Sequence, residues 1–312
     1  MSFEIVVRQV LMLAVIMALG FVGVKTKYVQ PDLRDGISKL ILRFTLPLLN
    51  LTSITGQVLS AELLKNAGLL ILLEVLIFVV LLLLGVLSAK LFRLSEPTRT
   101  MHSLMSIFGN VIFLGYPLIT ALYGSEGLFY AIVYALVNEA FLWTLGVFLI
   151  AKSGNSEKSG SAAKKLINPN TIAFVVALLM LIAGIRLPET LHGALSTVGS
   201  MTTPLAMLFI GVTLGTINLK GIYKRISIYV IVLFKMLLLP AVLALLLARL
   251  PIDRVLLGVL ILEVAMPAQT IITVMAKEYH GDYQYATECV FIMTIISLAS
   301  LPAMYWFMQH IF

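Results

Sequence analysis

Cysteine, histidine and charge are scarce in this 312-residue chain. Cys289 is the single cysteine, so the sequence offers neither a disulfide framework nor a cysteine-based metal cluster. The four histidines are scattered near the ends of apolar segments without the spacing of metal ligands, and we expect them in solvated or interfacial positions: His102, His192, His280 and His310. Only 12% of the residues are charged, against about 25% in an average soluble domain. These absences exclude an ordinary soluble protein, and no cofactor is expected.

Long apolar runs fill most of the chain, of which 60% is hydrophobic. Runs of about 18 or more apolar residues predict membrane spans. Ten segments meet this description: 4–24, 37–56, 64–89, 98–122, 127–151, 170–187, 194–217, 226–249, 254–276 and 284–309. The first span lacks a basic leading region and a small-residue cleavage site, so we expect a retained helix and no cleaved signal peptide. The sequence therefore predicts an all-α integral membrane protein.

Positive charges are unevenly distributed over the loops between these spans. Fifteen of the 22 Lys and Arg residues lie in alternate loops: Lys25, Lys27, Arg34, Lys39, Lys90, Arg93, Arg99, Lys152, Lys158, Lys164, Lys165, Lys220, Lys224, Arg225 and Lys277. The other loops hold Lys65, Arg186, Arg249 and Arg254. The positive-inside rule then places the basic loops in the cytoplasm and both termini outside. Because the net charge of +7 is concentrated in these loops, it does not indicate a nucleic-acid partner. We expect the protein to lie in the lipid of a bacterial inner membrane.

The chain divides into two halves of five predicted spans each. The polar stretch over 153–169 predicts a flexible cytoplasmic linker between residues 1–152 and residues 170–312. Because five is odd, two similarly folded halves have opposite orientations in the membrane, as inverted repeats do. The prolines agree with a duplication, since Pro47 and Pro204 are 157 residues apart and Pro117 and Pro267 are 150 residues apart.

Proline and glycine interrupt spans 4 and 9, which occupy matching places in the two halves. Span 4 contains Gly109, Asn110, Gly115 and Pro117, and span 9 contains Pro267. Proline removes a helical hydrogen bond and clashes with the preceding turn. Unpaired backbone at membrane depth persists only where protein or a watery cavity covers it. Such paired interruptions indicate the substrate site of a transporter. We therefore expect helices 4 and 9 to be broken at these glycines and prolines and to cross there.

Uncharged polar side chains accompany the predicted breaks. They are Asn50 in span 2, Asn110 in span 4, Asn138 in span 5, and Gln269 and Thr270 in span 9. Each of these residues alone is as typical of a hydrogen bond between packed helices as of a substrate site. Together they would line the crossing, where half-helices begin with free N–H groups of partial positive charge. Such helix N-termini bind anions. The sequence therefore predicts a carboxylate-bearing substrate held by backbone N–H groups and these side chains.

Six ionisable residues fall inside predicted spans: Arg8, Arg43, Glu74, Glu139, Lys235 and Glu263. A charge at mid-bilayer costs at least about 2.5–3.5 kcal/mol, so these groups should face protein or water. Arg43 and Glu74 lie on consecutive spans and are predicted to pair, either as a structural ion pair or with Glu74 as a proton-coupling carboxylate. Glu139 and Glu263 are the other coupling candidates, and Glu263 is best placed, one turn before the second break. Lys235 either neutralises a carboxylate or snorkels to the interface.

Several stretches resemble the auxin efflux carrier family, which includes bacterial malonate and malate permeases and plant PIN-type auxin carriers. The resemblance covers nearly the whole chain and is strongest over 46–50, 109–118, 265–267 and 276–279. It implies a ten-helix inverted-repeat fold with a scaffold built from spans 1, 2, 6 and 7. It also implies a transport domain built from spans 3–5 and 8–10, elevator-like movement, and a homodimer formed through the scaffold.

The resemblance also implies roles for single residues. Asn110 matches the asparagine that contacts the carboxylate in the plant carriers, Asn138 falls where those carriers have a glutamine, and Asn50 falls near a serine. Glu263 stands where they have an uncharged glutamine, and this departure permits proton coupling. Arg43 lines up with a lysine that resembles half of an acidic–basic support pair.

The sequence thus predicts a secondary active transporter of small organic anions. Its substrates would be mono- or dicarboxylates, with auxin-like acids included. No enzymatic activity is expected. One alternative is a sodium-coupled symporter resembling the bile-acid carriers, in which Asn and Gln oxygens hold sodium. A second is a membrane sensor that binds its ligand without moving it. An intramembrane enzyme would need a catalytic dyad or an Asp-rich metal motif at depth, and all four Asp residues lie in loops or at span edges.

Overall fold

The computed structural model describes residues 3–154, 168–216 and 224–312. Its helices are α1 (Phe3–Lys25), α2 (Leu33–Thr55), α3 (Ala61–Leu91), α4 (Thr98–Ile107), α5 (Val111–Ser153), α6 (Pro169–Ile182), α7 (Glu189–Thr216), α8 (Ile226–Leu247), α9 (Arg254–Val264), α10 (Ile271–Glu278) and α11 (Tyr283–Ile311). Six of these, α2, α3, α5, α7, α8 and α11, are long and apolar enough to cross a membrane. The prediction of an all-helical membrane protein is confirmed. Most of the predicted linker, residues 153–169, lies outside the described residues.

Several helices depart locally from regular α geometry. Wider π-helical turns occur at Ile41–Thr45 in α2, at Val111–Gly115 in α5 and at Val232–Leu238 in α8. Helix α5 bends sharply at Gly124, whose φ of 64° suits glycine because it has no Cβ atom. The bend lies between predicted spans 4 and 5 and interrupts the helical backbone, so the part of α5 before Gly124 contains the second half of span 4 and the part after it contains span 5.

The described helices form two compact units, each of which combines segments from both halves of the chain. Unit 1 comprises residues 1–68, 112–133 and 167–216, and unit 2 comprises residues 69–111, 134–166 and 217–312. Unit 1 contains the four spans that the family resemblance places in a scaffold. It also contains residues 112–133, which the resemblance places in the transport domain.

In unit 1, α1 packs closely along the second part of α7, Thr202–Thr216. A Cβ atom on Gly211 would overlap the carbonyl oxygen of Met17, and one on Gly20 would lie 2.6 Å from the carbonyl oxygen of Leu208. Two helix backbones approach this closely only where glycine leaves room, as is common in membrane helices.

Helix α2 packs against α6 and the first part of α7 in the same unit. Thr202 donates from its hydroxyl group to the Thr45 hydroxyl oxygen at 2.9 Å, and Asn50 Nδ2 donates to Asn170 Oδ1 at 2.7 Å. Asn168 caps α6 by accepting the N–H groups of Asn170 and Thr171. These side-chain hydrogen bonds fix α2 against its neighbours, where hydrophobic attraction between helices is weak in lipid.

In unit 2, α11 packs against α4, α8 and α10. A buried hydrogen-bonded network joins these helices to α3. His102 bonds Ser88 through Nε2 and the Tyr285 hydroxyl through Nδ1, both at 2.7 Å, and Ser227 lies 3.0 Å from the same hydroxyl. The prediction of a solvated or interfacial position for His102 is wrong, because the side chain is fully buried. Other helices supply a partner for each ring nitrogen, and this offsets the cost of burying a polar group.

Candidate functional site

Two helix breaks pair with each other inside unit 2. Helix α4 ends at Ile107 and α5 begins at Val111, while α9 ends at Val264 and α10 begins at Ile271. Between them, Gly109 and Ala268 form an isolated antiparallel bridge. Asn110 N donates to Pro267 O at 2.7 Å, and Gln269 N donates to Phe108 O at 3.2 Å. These two segments, residues 108–110 and 265–270, are here called the crossing. Each segment hydrogen-bonds backbone groups that its own helix leaves free.

Part of the predicted break lies elsewhere. Gly109 and Pro267 lie in the crossing, whereas Gly115 and Pro117 lie in the helical backbone of α5, so their prediction as break residues is corrected. Pro117 is the seventh residue of α5 and lies two residues after a local change of helical geometry, which is where a residue without an N–H group is tolerated inside a helix. That change is the wider turn that ends at Gly115.

Residue size explains why the chains meet at Gly109. A Cβ atom there would lie 3.2 Å from Met266 Cβ and 3.3 Å from Glu263 O, which is tighter than ordinary side-chain contact. On the other segment, Pro267 has no N–H group and cannot continue the helical ladder. Glycine on one side and proline on the other thus favour two extended segments in contact.

Buried polar atoms without partners cluster around the crossing. Among the described residues, Asn110 Nδ2, both amide atoms of Asn138, Gln269 Oε1 and Thr270 Oγ1 have no hydrogen-bond partner. All four residues are buried, and Asn138 is 0% exposed. Native proteins hydrogen-bond nearly all of their buried polar groups. This concentration of donors and acceptors therefore fits a place where water or a ligand supplies the partners.

Glu139 joins α5 to the crossing. Its Oε1 accepts from Gln269 Nε2 at 2.6 Å, and its Oε2 accepts from Trp143 Nε1 at 2.8 Å. The bond to Gln269 brings α5, with the neighbouring Asn138, beside the second segment of the crossing. Glu139 thus has two donors for its carboxylate, and its predicted role in coupling stays a prediction.

Lys235 lies at the crossing and does not snorkel. Its side chain is 1% exposed, and Nζ donates to the carbonyl oxygen of Ile107, the last residue of α4, at 3.0 Å. A cation is favourable at a helix C-terminus, where unpaired carbonyls carry partial negative charge. No sequence pattern predicts this contact, which joins residues 128 positions apart.

Glu74 and Glu263 are deeply buried in unit 2, at 0% and 1% exposure. Neither carboxylate has a hydrogen-bond partner among the described residues. The described parts of the chain contain no group of three or more His, Cys, Asp or Glu side chains that would hold a metal ion.

Two further predicted residues, Arg43 and Asn50, belong to unit 1. Arg43 is exposed, and Asn50 is buried with its amide nitrogen on Asn170. The Arg43–Glu74 pair and the contact of Asn50 with substrate stay predictions.

Comparison with known proteins agrees with this architecture. A family model described as membrane transport protein matches residues 5–305. An uncharacterized transporter of Methanocaldococcus jannaschii is 25% identical over 282 residues, which cover 88% of this chain and 89% of that protein. An uncharacterized transporter of Methanothermobacter thermautotrophicus is 30% identical over 192 residues, covering 61% of this chain and 62% of that protein. This multi-pass membrane protein therefore belongs to the membrane transport protein family, which confirms the resemblance to the auxin efflux carriers.

Proposed function

We propose that this protein is a secondary active transporter of small organic anions, which bind at the crossing in unit 2. The observation that carries the proposal is the set of buried, unpartnered polar atoms on Asn110, Asn138, Gln269 and Thr270. A bound carboxylate accepts two or more hydrogen bonds and would satisfy the donors among them. Charge-assisted bonds of this kind are about twice as strong as neutral ones.

Positive potential at the crossing favours an anion over a neutral substrate. The unpartnered donors are Asn110 Nδ2, Asn138 Nδ2 and the Thr270 hydroxyl group. Helix α10 begins at Ile271, directly after Thr270, and its first N–H groups carry partial positive charge. The Lys235 ammonium group lies 3.0 Å from the Ile107 carbonyl, beside the first segment of the crossing. A carboxylate would therefore meet hydrogen-bond donors and a buried positive charge.

The proposal includes a ten-span inverted repeat. The contacts within unit 1 support it, because α1 packs on the second part of α7 while α2 packs on α6. In an inverted repeat α1 would correspond to α6 and α2 to α7. Interchanging the two halves then turns the contact between α1 and α7 into the contact between α6 and α2. In addition, Thr45 and Thr202, which hydrogen-bond each other, are 157 residues apart, the same separation as Pro47 and Pro204. The proposal also includes elevator-type alternating access, assembly as a homodimer, a location in a bacterial inner membrane, and termini on the outside of that membrane.

Transport is tested by counterflow of labelled acids in proteoliposomes. Acetate, malonate, malate and indole-3-acetate form a panel that spans one and two carboxylates and small and bulky bodies. We expect saturable exchange of at least one acid by the wild type. Binding without exchange for every acid that binds would favour a sensor and contradict the transporter.

The crossing is tested with Asn110→Ala, which should abolish this exchange while the protein remains folded. Asn66→Ala is the matched control, because Asn66 lies in unit 1 and donates to the Tyr130 hydroxyl. Full exchange by Asn110→Ala would remove the crossing as the substrate site.

Unpartnered oxygens favour a second candidate, a sodium-coupled symporter. Asn138 Oδ1, Gln269 Oε1 and Thr270 Oγ1 are buried and lack partners among the described residues, and hard cations prefer such oxygen ligands. Counterflow and uptake with sodium replaced by N-methylglucamine separate the two candidates. Uptake that requires sodium at constant pH would establish the symporter.

A further inference from the structure

One polar atom of Gln269 lacks a partner in a residue that is otherwise hydrogen-bonded throughout. The backbone N donates to Phe108 O at 3.2 Å, and the backbone O accepts from Ile272 N at 3.3 Å. The side-chain Nε2 donates to Glu139 Oε1 at 2.6 Å. The remaining atom, Oε1, is buried and has no partner among the described residues. These bonds fix the residue in the crossing and leave one hydrogen-bond acceptor free there.

Glu139 decides which amide atom of Gln269 is left free. Its two oxygens accept from two N–H donors, Gln269 Nε2 and, at 2.8 Å, Trp143 Nε1. This is the hydrogen-bonding pattern of the carboxylate form, which can accept bonds but has no proton to donate. The amide atom that meets Glu139 is therefore the nitrogen, and the atom left over is the oxygen. The orientation of the Gln269 amide thus follows from the chemistry of its neighbours.

A second amide–carboxylate pair in unit 2 shows the same bond at the protein surface. Gln284 Nε2 donates to Glu288 Oε1 at 3.0 Å on α11. Gln284 is exposed, so water can satisfy its remaining amide atom. Gln269 makes the same bond in a buried position, where its oxygen needs a partner from a ligand or from an enclosed water.

An anion that carries only a carboxylate cannot satisfy this oxygen. Carboxylate oxygens accept hydrogen bonds, as Gln269 Oε1 does, and two acceptors do not bond each other. The unpartnered donors described above, Asn110 Nδ2 and the Thr270 hydroxyl group, suit the carboxylate, whereas Gln269 Oε1 requires a hydroxyl or N–H group on the same ligand. We propose that the crossing selects organic anions that carry a hydrogen-bond donor in addition to the carboxylate, and that Glu139 sets this selectivity by orienting Gln269.

Burial makes the missing donor costly. An anion without a donor leaves Gln269 Oε1 unsatisfied, and a site built to hydrogen-bond a substrate group discriminates strongly against an analogue that lacks the group. We expect such an analogue to bind at least about tenfold more weakly. This inference rests on the proposed transport of anions through the crossing, because the anion brings the donor to Gln269.

Matched pairs of acids test the selectivity in the wild type. Each acid of the panel is paired with one of similar shape that differs in the donor: glycolate with acetate, hydroxymalonate with malonate, malate with succinate, and indole-3-acetate with naphthalene-1-acetate. Titration calorimetry in detergent and competition against counterflow of labelled malate in proteoliposomes give the affinity for both members. In each pair that binds, the acid with the donor should bind at least about tenfold more tightly.

Glu139→Gln tests whether Glu139 orients the amide. The new side chain offers one acceptor to two donors, and the Trp143 indole can only donate. Its oxygen should therefore stay with Trp143 while its nitrogen faces Gln269, whose amide turns and places its own nitrogen at the crossing. The preference within each pair should be lost, and acids without a donor should bind more tightly than to the wild type, because the turned amide donates to the carboxylate.

Gln269→Met removes both amide atoms and should abolish the preference without tightening the binding of acids that lack a donor. Gln284→Met is the matched control, because it removes an amide–carboxylate bond outside the crossing and should keep the wild-type preference. Damage to the fold would weaken both members of a pair alike, so their affinity ratio separates selectivity from damage. Thermal melts of each variant check the fold directly.

Three results would overturn this inference. Equal affinities within the pairs in the wild type would show that enclosed water satisfies Gln269 Oε1. An undiminished preference in Glu139→Gln would show that Glu139 does not orient the amide. A sodium requirement that disappears in Gln269→Met would assign the oxygen to a sodium ion. Absence of both binding and counterflow for every acid would instead refute the proposed anion site, and the selectivity with it.

Discussion

The amide of Asn110 gives the sharpest quantitative prediction for the crossing. The side chain is buried, and its Nδ2 has no partner among the described residues, so replacing it with alanine removes no hydrogen bond from that nitrogen in the empty protein. When a carboxylate is bound, the same nitrogen would donate a charge-assisted hydrogen bond. A hydrogen bond to a charged group contributes about 1.5–3 kcal/mol. The Kd for the anion should therefore rise about 10- to 150-fold in Asn110→Ala.

Isothermal titration of the purified protein with the acid that the wild type transports measures this change. Thermal unfolding without ligand should be close to that of the wild type, because the lost nitrogen has no partner to leave unsatisfied. Asn110→Asp, which has the same size but replaces a donor by a negative charge, should bind the anion more weakly still.

Two results would refute this reasoning. An unchanged Kd in Asn110→Ala would show that the amide does not contact the anion. A large loss of thermal stability without ligand would show that the amide holds the crossing together, and the loss of binding would then be a consequence of unfolding.

Three other substitutions test the surrounding structure. Lys235→Met should weaken anion binding, because it removes a buried cationic group beside the first segment of the crossing, and titration calorimetry measures the change in Kd. Gly211→Leu should prevent folding, because a Cβ atom there would overlap a backbone carbonyl of α1. Gly193→Leu is the control and should fold normally, because Gly193 has open space around it. Size-exclusion chromatography distinguishes the two outcomes. Tyr285→Phe should lower the free energy of unfolding by about 1–3 kcal/mol, because it leaves a buried nitrogen of His102 unpaired, without changing the anion Kd.

The location of the helix break shows where reasoning from local sequence stops. Proline inside an apolar segment predicted a break at Pro117, but the helix tolerates it near the start of a regular stretch that follows a π-helical turn. Gly109 was also predicted as a break residue, but the reason for a glycine there is the close approach of Met266 and the Glu263 carbonyl. That approach involves residues more than 150 positions away, so no local rule reports it.

Charged residues show the same limit. The sequence was sufficient to predict that these residues lie at membrane depth. It was not sufficient to predict which groups they would contact. Lys235 was expected to neutralise a carboxylate or to snorkel, and its ammonium group donates to the carbonyl at the end of α4, a contact that was not expected. His102 was expected in a solvated or interfacial position, and it is buried between Ser88 and Tyr285.

The sequence by itself determined the class of the protein, the positions of its apolar helices and the polar residues among them. These features depend on local composition, because lipid requires each spanning segment to be apolar and to satisfy its own backbone. The tertiary structure alone decided which polar groups meet. Gln269 donates to Glu139 across 130 residues, and Lys235 donates to the Ile107 carbonyl across 128 residues. Such contacts arise from the packing of distant helices, and the energy of a buried polar group depends on the partners that packing supplies.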